Sequence, residues 1–312
     1  AQAAAQKIGC EPHDVLVAST GVIGEVLEIA PIRRAIEKAD GKADWLDAAR
    51  AIMTTDTFPK LASASAKFGN QAVTLTGIVK GSGMIAPDMA TMLAFVFTDA
   101  ALPVGVLKKL LSAANAESFN CVTVDGDTST SDTCLLVATG AKRMSGAKIK
   151  SVDDKRLASF KKALLGLMQN LAQQVARDGE GITKLMTIEV SGAENNAAAR
   201  QIALAIGNSP LVKTAIAGAD ANWGRIVMAV GKSGEKAVRD KLAISIGGVK
   251  VARNGKVVPG YKEASVVRHM KGNEIFIAVN VGMKSGKGAG QARIWASDLT
   301  HGYISINAEY RS

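Results

Sequence analysis

Two hydrophobic periods alternate along this chain, and their alternation limits the possible fold more than any other feature of the sequence. The segment QAVTLTGIVK (71–80) places Val73, Leu75 and Val79 on one face, which is the period of a strand. Between Lys155 and Ala176 apolar residues instead recur every three or four positions, which predicts an amphipathic helix. The chain therefore combines strands with at least one long helix.

Further strands are predicted from shorter segments. Alternating or apolar runs indicate strands over 184–192, 241–246, 274–281 and 302–307, and VARNGKVV predicts a hairpin that turns at Asn254-Gly255. The elements do not follow a regular strand–helix–strand repeat. The sequence thus predicts a mixed α/β (α+β) fold and not a doubly wound one.

The stretch GNSPLVK (207–213) is a plausible break between domains. We predict a main domain over 1–206, a smaller α/β domain over 207–300 and a tail over 301–312 that returns to the active site. The chain starts without methionine inside a segment with helical character, AQAAAQKIG. We therefore expect that sequence is missing upstream.

Composition argues against several classes of protein. The net charge is +10, but lysines and arginines are scattered and aromatic residues make up 4%, so a nucleic-acid partner is poorly supported. The three cysteines form no CxxC pair and the three histidines lie far apart, so neither a disulfide frame nor a metal site is expected. We also find no secretory signal or membrane-length apolar run, and we expect a cytoplasmic protein without a membrane partner.

Standard catalytic and cofactor motifs are missing or incomplete. The glycine-rich segments at 231–233 and 282–290 lack the spacing of a phosphate-binding loop, and no GxSxG elbow or cysteine–histidine pattern is present. Five loops nevertheless combine small polar residues with glycine. They are ASTGVIG (18–24), TTDTFPK (54–60), KGSGMIAPDMATMLAF (80–95), NCVTVDGDTSTSDT (120–133) and ARDGEGITK (176–184). Each alone is explained as a turn or cap, but together they point to a site built from hydroxyl groups.

A threonine becomes a nucleophile when its own backbone amine is free to take the hydroxyl proton. An α-amine titrates near pH 8, about 2 units below lysine, so it is partly neutral at pH 7. Thr91 would meet this condition if the chain were cut before it, and the small Ala90 leaves room for the hydroxyl to attack the preceding carbonyl. The dipeptide alone does not decide the matter, because Ala138-Thr139 also occurs.

Taken together, the loops resemble the ornithine acetyltransferase (glutamate N-acetyltransferase) family of arginine biosynthesis. The similarity covers essentially the whole chain, and its most specific pieces are KGSGMIAPDMATML, TVDGDTSTSDT, DGEGITK and DANWGRI. The resemblance implies a self-cleaving, layered α/β fold like that of N-terminal-nucleophile hydrolases and DmpA-type aminopeptidases, with a smaller domain attached. Cleavage between Ala90 and Thr91 would give fragments 1–90 and 91–312 that stay associated, commonly as two copies of each (α2β2).

The resemblance also implies roles for individual residues. Thr91 would be the nucleophile, and the Thr20 hydroxyl with the Gly21 backbone N–H would form the oxyanion hole. Substrate-binding positions would be Thr57, Lys80, Thr91, Glu180, Asn307 and Ser312, with Lys80 suited to a substrate carboxylate and Glu180 to a cationic side chain. Two positions depart from the family pattern, which more often has asparagine at Ser131 and threonine at Ser312, and both keep hydrogen-bonding capacity.

The expected activity is ping-pong acetyl transfer from N2-acetylornithine to glutamate without a metal or cofactor. The resemblance leaves open whether acetyl-CoA is a second donor, which would make the enzyme bifunctional. One alternative is an amidohydrolase or aminopeptidase that uses the same threonine with water as acceptor. A second alternative, from another class, is a basic RNA-binding protein, which would retain RNA in a salt-sensitive way.

Overall fold

The computed structural model describes residues 1–22, 24–68, 71–86, 92–143 and 148–309. Three residues of the predicted site, Ala90, Thr91 and Ser312, lie outside these ranges.

The helices and strands alternate in an irregular order. The α-helices are α1 (Gln2–Ile8), α2 (Ile29–Lys38), α3 (Trp45–Ala51), α4 (Val104–Ala116), α5 (Ala158–Arg177), α6 (Asn196–Gly207), α7 (Pro210–Ala217), α8 (Trp223–Gly231), α9 (Glu263–Met270) and α10 (His301–Glu309). The strands are β1 (Lys60–Phe68), β2 (Gln71–Lys80), β3 (Leu93–Ala100), β4 (Val122–Thr123), β5 (Thr133–Lys142), β6 (Leu185–Ala193), β7 (Ala243–Ile246), β8 (Val249–Arg253), β9 (Lys256–Val257), β10 (Glu274–Asn280) and β11 (Gly290–Ser297). Short 3₁₀ turns cover Pro12–Asp14, Phe119–Cys121, Lys155–Leu157 and Arg239–Lys241.

The strands form two sheets. The four-stranded sheet has the order β1-β2-β3-β5, and the seven-stranded sheet has the order β4-β11-β6-β10-β7-β8-β9. Both sheets contain parallel and antiparallel pairs, since β3 runs parallel to β5 and β6 runs parallel to β10 while their other neighbours are antiparallel. This arrangement confirms the predicted mixed α/β fold.

Helix α5 lies between the sheets and joins them into one core. It packs on β1 and β2 and also contacts β4 and β11 of the other sheet. A Cβ on Gly77 would lie 2.7 Å from Leu171 Cδ1, so the helix approaches β2 closely only because this strand position has no side chain. Leu171 itself is fully buried, and truncating a buried leucine to alanine typically costs about 2–5 kcal/mol.

Most of the predicted elements are confirmed. Strand β2 covers 71–80 as predicted, α5 with its preceding 3₁₀ turn covers the predicted helix, and the strands predicted at 184–192, 241–246 and 274–281 correspond to β6, β7 and β10. The hairpin joins β8 to β9 through Asn254 and Gly255, whose φ angles are 52° and 70°. Positive φ at both turn residues is the conformation that an Asn-Gly hairpin requires.

The strand predicted over 302–307 is wrong, because these residues form helix α10. The sequence GYISIN alternates apolar and polar residues and is rich in strand-forming types, which favoured a strand. Tertiary contacts decide otherwise. As a helix, the segment brings Tyr303 and Asn307 onto the same face, where the Asn307 side chain donates to the Tyr303 carbonyl at 3.1 Å.

The seven-stranded sheet takes strands from both sides of residue 207. Strand β6 precedes this residue and pairs with β10 and β11, which follow it. The buried apolar cluster is also continuous across it, from Phe68 and Leu171 to Ile188 and Ile277. The division into 1–206, 207–300 and 301–312 stays a prediction.

Candidate active site

A cavity of about 250 Å3 collects residues from all five polar loops and from helix α10. Five residues predicted from the sequence meet here, although up to 287 positions separate them: Thr20, Gly21, Lys80, Glu180 and Asn307. The remaining lining consists of Val22, Thr54, Thr55, Ser82, Gly83, Met84, Asp125, Asp127, Ser129, Thr130, Ser131 and Tyr303. The lining carries both signs of charge.

Thr20 and Gly21 belong to a segment without helix or strand among its described residues, 15–22 and 24–28. A Cβ placed on Gly21 would have no atom of another residue within 4 Å, so the backbone here is uncrowded on that side. Thr20 and Gly21 are both lining residues of the cavity.

Lys80 is the last residue of β2 and is only 3% exposed. Its Nζ donates to Thr54 Oγ1 at 3.1 Å. Burial lowers the pKa of Lys80, and Lys60 adds to this effect, while the negative charges of Asp56, Asp132 and Glu180 oppose it. The ammonium group thus depends on neighbouring carboxylates to stay charged.

Glu180 belongs to the loop between α5 and β6, lines the same cavity as Lys80 and is 8% exposed. Its Oε2 accepts a hydrogen bond from Asn307 Nδ2 at 2.9 Å. A Cβ on Gly83 would lie 2.3 Å from the same Oε2, so the carboxylate occupies space that only glycine leaves free. Lys80 and Glu180 give the cavity one buried cation and one buried anion.

Helix α10 is packed onto the Glu180 loop through two glycines. A Cβ on Gly181 would lie 2.2 Å from the carbonyl carbon of Gly302, and Thr300 Oγ1 donates to the Gly181 carbonyl. Gly181 has a φ of 65°, a conformation that glycine adopts without strain. This contact sets the position from which Asn307 reaches Glu180.

Asp125 is a site residue that the sequence did not single out. Its carboxylate accepts the backbone N–H groups of Met84 at 2.7 Å and Ile85 at 3.0 Å, and Tyr303 Oη lies 3.4 Å from its Oδ2. Met84 has a φ of 54°, which is uncommon for a side chain of this kind. Burial raises the pKa of Asp125, although the backbone N–H bonds oppose the shift. Asp125 thereby fixes the glycine-rich loop and contacts α10.

Thr57 occupies a different place from the other predicted residues, because it does not line the cavity. Its N–H and its hydroxyl both donate to Asp178, the first at 2.9 Å. Asp178 is also paired with the fully buried Lys60, whose second partner is Asp56. The neighbouring Thr54 and Thr55 line the cavity instead. The buried charges of Asp56, Lys60 and Asp178 were not predicted from the sequence.

Asp132 anchors Met92, the residue that follows Thr91 in the sequence. Its Oδ1 accepts the N–H of Met92 at 2.8 Å, and its buried Oδ2 has no hydrogen-bond partner among the described residues. Burial raises the pKa of Asp132 to about 6, while the Met92 N–H and Lys80 oppose the shift. Since Thr91 is bonded to Met92, this carboxylate lies one residue from the predicted nucleophile.

Within the described residues no group of three or more His, Cys, Asp or Glu side chains is arranged to hold a metal ion. Cys10, Cys121 and Cys134 are free thiols. None of the helices in the described ranges is long and apolar enough to cross a membrane.

The fold and the cavity define an α/β protein with a site of small-molecule size whose lining carries both signs of charge. The chain belongs to the ArgJ family, whose model matches residues 1–312. It is 56% identical to the arginine biosynthesis bifunctional protein ArgJ of Gluconobacter oxydans over 318 aligned positions, which cover 100% of this chain and 73% of that protein. It is 53% identical to the protein of the same name from Agrobacterium fabrum, with 100% and 76% covered.

A solved structure supports the same fold. The crystal structure of arginine biosynthesis bifunctional protein ArgJ from Bacillus halodurans matches with a TM-score of 0.64 and 40% sequence identity. The match covers 69% of this chain and 98% of the Bacillus chain.

Proposed function

We propose that this ArgJ-family enzyme carries the acetyl group from N2-acetylornithine to glutamate as an ester of Thr91. Family membership over the whole chain identifies it as an ornithine acetyltransferase of arginine biosynthesis and does not favour the hydrolase alternative. The observation that carries the site assignment is the single cavity in which Thr20, Gly21, Lys80, Glu180 and Asn307 meet.

The reaction starts with self-cleavage. The Thr91 hydroxyl attacks the Ala90 carbonyl, the peptide bond shifts to an ester, and water opens the ester to leave a free amine on Thr91. That amine then takes the hydroxyl proton as Thr91 Oγ attacks the acetyl carbonyl of N2-acetylornithine. The Thr20 hydroxyl and the Gly21 N–H donate to the oxyanion, and removing one such donor typically costs about 3–4 kcal/mol.

In the second half of the reaction the acetyl group leaves Thr91 and is transferred to the α-amine of glutamate. Ornithine leaves as its nitrogen takes the proton held by the Thr91 amine. Glutamate enters, its α-amine attacks the acetyl ester, and Thr91 Oγ recovers a proton as acetylglutamate departs. Both substrates are α-amino acids, so one site accepts them in turn.

The charges in the cavity suit these substrates. Lys80 is proposed to bind the carboxylate of the donor, and Glu180 the cationic side chain of ornithine. Asn307, Thr57 and Ser312 complete the proposed binding positions. The Thr57 hydroxyl donates to Asp178, so while that bond is kept Thr57 Oγ1 can contact a substrate only as a hydrogen-bond acceptor.

Sheet pairing explains how the two fragments would stay together after cleavage. Strand β2 lies before the predicted cut and β3 after it, and they pair from Lys80↔Leu93 to Leu75↔Thr98. The fragments 1–90 and 91–312 would therefore share the centre of one sheet. The α2β2 assembly and the cytoplasmic location remain part of the proposal.

The length of the solved relative is consistent with cleavage. A match over 69% of this chain involves about 215 residues, so a Bacillus chain covered to 98% is about 220 residues long. The predicted fragment 91–312 has 222 residues. The two lengths agree closely.

Intact-mass measurement of the protein, beside Thr91→Ala and Thr91→Ser, tests the proposal. We expect two fragments that meet at Ala90/Thr91 in the wild type, one chain in Thr91→Ala, and slower but detectable cleavage in Thr91→Ser, which keeps a hydroxyl. An uncleaved wild type that is fully active would contradict the mechanism.

The acceptor is tested separately with the cleaved enzyme. Incubation with N2-acetylornithine and glutamate should form acetylglutamate, whereas a hydrolase would release acetate at the same rate with or without glutamate. A parallel reaction of acetyl-CoA with glutamate tests whether this chain is bifunctional, as the names of its relatives indicate for those proteins.

A further inference from the structure

Three charged side chains, those of Asp56, Lys60 and Asp178, are buried in contact with one another. Lys60 Nζ lies 2.5 Å from Asp56 Oδ1 and 2.5 Å from Asp178 Oδ2. The side chains are 0%, 0% and 2% exposed, respectively, for Lys60, Asp56 and Asp178. Two carboxylates on one ammonium leave this buried trio with a net charge of −1. An excess buried charge is costly unless another group compensates it.

Asp56 connects the buried trio to Lys80 from two directions. Its Oδ1 accepts the N–H of Gly81, the residue after Lys80, at 2.8 Å. Its Oδ2 accepts the N–H of Thr54 at 3.0 Å, and the Thr54 hydroxyl in turn accepts a hydrogen bond from Lys80 Nζ at 3.1 Å. Asp56 thus holds both the backbone beside Lys80 and the residue to which its ammonium is bonded.

The charge of Asp56 also acts on Lys80. Burial tends to raise the pKa of Asp56, but the bonds from Lys60, Gly81 and Thr54 outweigh burial and place its pKa below the ordinary value, so Asp56 is ionised at neutral pH. The charged groups that act on Lys80 are Asp56, Lys60, Asp132 and Glu180, and Asp56 is the largest of those that favour its charged form.

We propose that Asp56 is the positioning residue that keeps Lys80 protonated and directed into the cavity, so that the enzyme can bind a substrate carboxylate. The negative charge of Asp56 itself, the largest of those that favour the charged form of Lys80, is the counter-charge of Lys80. This inference rests on the proposed role of Lys80 in acetyl transfer, but the protonation of Lys80 can be measured without it.

Asp178 offers a matched control. Its carboxylate bonds the same Lys60 Nζ at the same 2.5 Å, but the other partners of that carboxylate are the N–H and hydroxyl of Thr57, and not Thr54 or Gly81 as for Asp56. Asp56→Asn and Asp178→Asn therefore make the same change in the same ion cluster. A merely structural effect of the trio would appear in both variants.

The experiment compares the wild type, Asp56→Asn and Asp178→Asn in two measurements across pH 6 to 10. The first is the rate at which acetic anhydride modifies Lys80, followed by mass spectrometry of the peptide that contains it. The second is the KM for N2-acetylornithine. Thermal unfolding of each variant shows whether it is folded under the assay conditions. Labelling and KM are measured only at temperatures below the unfolding transitions of all three proteins.

Loss of Asp56 should lower the pKa of Lys80, so its labelling profile should move to lower pH. The KM of Asp56→Asn should then match that of the wild type near pH 6 and exceed it by about tenfold at alkaline pH, since one lost counter-charge typically changes such equilibria by that order. The profiles of Asp178→Asn should keep their position on the pH axis.

Two results would overturn the inference: labelling profiles that coincide for all three proteins, or equal shifts in both variants. A labelling profile that moves only in Asp56→Asn, with a KM that does not change with pH, would support Asp56 as the group that keeps Lys80 charged. The same result would contradict the carboxylate-binding role of Lys80 in the proposed function. The two failures are thereby distinguished.

Discussion

The side-chain amide of Asn307 donates to Glu180 Oε2 across 2.9 Å, although 127 positions separate the two residues. The bond connects helix α10, close to the end of the chain, with the loop that follows α5. Both residues line the candidate active site, so the end of the chain forms part of the cavity wall. Because an acetyl ester reacts with water as well as with an amine, a wall that limits water entry favours transfer over hydrolysis.

Removal of residues 307–312 should raise the ratio of acetate to acetylglutamate formed from N2-acetylornithine. The truncated chain loses the bond to Glu180 and the last turn of α10, so water gains access to the ester. We expect a several-fold rise when both products are quantified in the presence of glutamate. An unchanged ratio with normal total turnover would show that this segment does not control water.

Gly181→Ala should displace helix α10. The displacement should be larger than that caused by removing a single hydrogen bond of this helix, such as the bond from Asn307 to Glu180. The new Cβ would lie 2.2 Å from backbone atoms of Gly302 and Tyr303, and backbone cannot move aside as a flexible side chain can. We expect the KM for N2-acetylornithine to rise about tenfold or more, since small displacements of binding groups have effects of this size.

Gly234→Ala is the control for Gly181→Ala. Gly234 also has a positive φ, 80°, but a Cβ there would have no atom of another residue within 4 Å. Both substitutions therefore introduce similar backbone strain, of order 1 kcal/mol. Equal effects of the two variants on KM would argue that strain, and not the contact with α10, is responsible.

The sequence predicted those parts of the fold in which local pattern and tertiary environment agree. Strand β2 and helix α5 bury the faces that their own periods define, and the hairpin at Asn254-Gly255 follows from local backbone preference. Helix α10 was missed because its strand-like pattern is overruled by packing against Gly181. The hydrophobic period of a segment cannot indicate a contact between residues more than a hundred positions apart, such as Gly181 and Gly302.

The site was predictable to a similar degree. Motifs marked the loops that carry Thr20, Lys80 and Glu180, but not the acidic residues that hold these loops in place. Asp56 and Asp125 lie inside the motifs as ordinary turn residues, and only the structure shows that their carboxylates accept N–H groups from the glycine-rich loop 81–85. The i,i+4 pair Asp56/Lys60 was the one local signal, and it is also common on solvated surfaces.

Asp132→Asn should stabilise the protein at pH 7 while it lowers activity. The folded-state pKa of Asp132 is about 6, above the ordinary value of 3.8, so its contribution to stability is present below about pH 4 and is lost as pH rises to 6. Because the residue is partly exposed, we expect a gain of only about 1–2 kcal/mol in the free energy of unfolding when the charge is removed.

The same substitution weakens the acceptor for the Met92 N–H beside Thr91, so kcat for acetyl transfer should fall about tenfold. Urea unfolding at pH 4, 5 and 7 measures the first effect and the assay measures the second. A variant that is less stable than the wild type at pH 7 would contradict the first effect, and one that retains full kcat would contradict the second.

Lys213 should make the stability of the protein depend on pH in the alkaline range. This side chain of α7 is 4% exposed, and its Nζ donates to the Val124 carbonyl at 2.7 Å and to Ser297 Oγ at 3.2 Å. Burial lowers the pKa of Lys213 to about 8, while the charges of Asp298 and Asp125 oppose the shift. The bonds thus hold an amine that loses its proton more easily than an exposed lysine.

The sign of the effect follows from proton binding. Between about pH 8 and 10.5 the unfolded chain keeps the proton on this lysine and the folded chain does not, so the free energy of unfolding rises with pH by about 3 kcal/mol in total. Below pH 8 Lys213 is protonated in both the folded and the unfolded chain, so it no longer makes the free energy of unfolding depend on pH. The wild type should therefore gain stability over Lys213→Met as pH increases from 8 to 10.5.

Lys213→Met should also be less stable at every pH, by about 2–5 kcal/mol, because buried carbonyl groups lose their donor. Lys232→Met removes one positive charge from an exposed position and serves as the control. Its difference from the wild type should not change across the same pH range when both are unfolded with urea. If the difference between the wild type and Lys213→Met is equally constant, Lys213 carries the same number of protons in the folded and unfolded chains, which would contradict its lowered pKa in the folded protein.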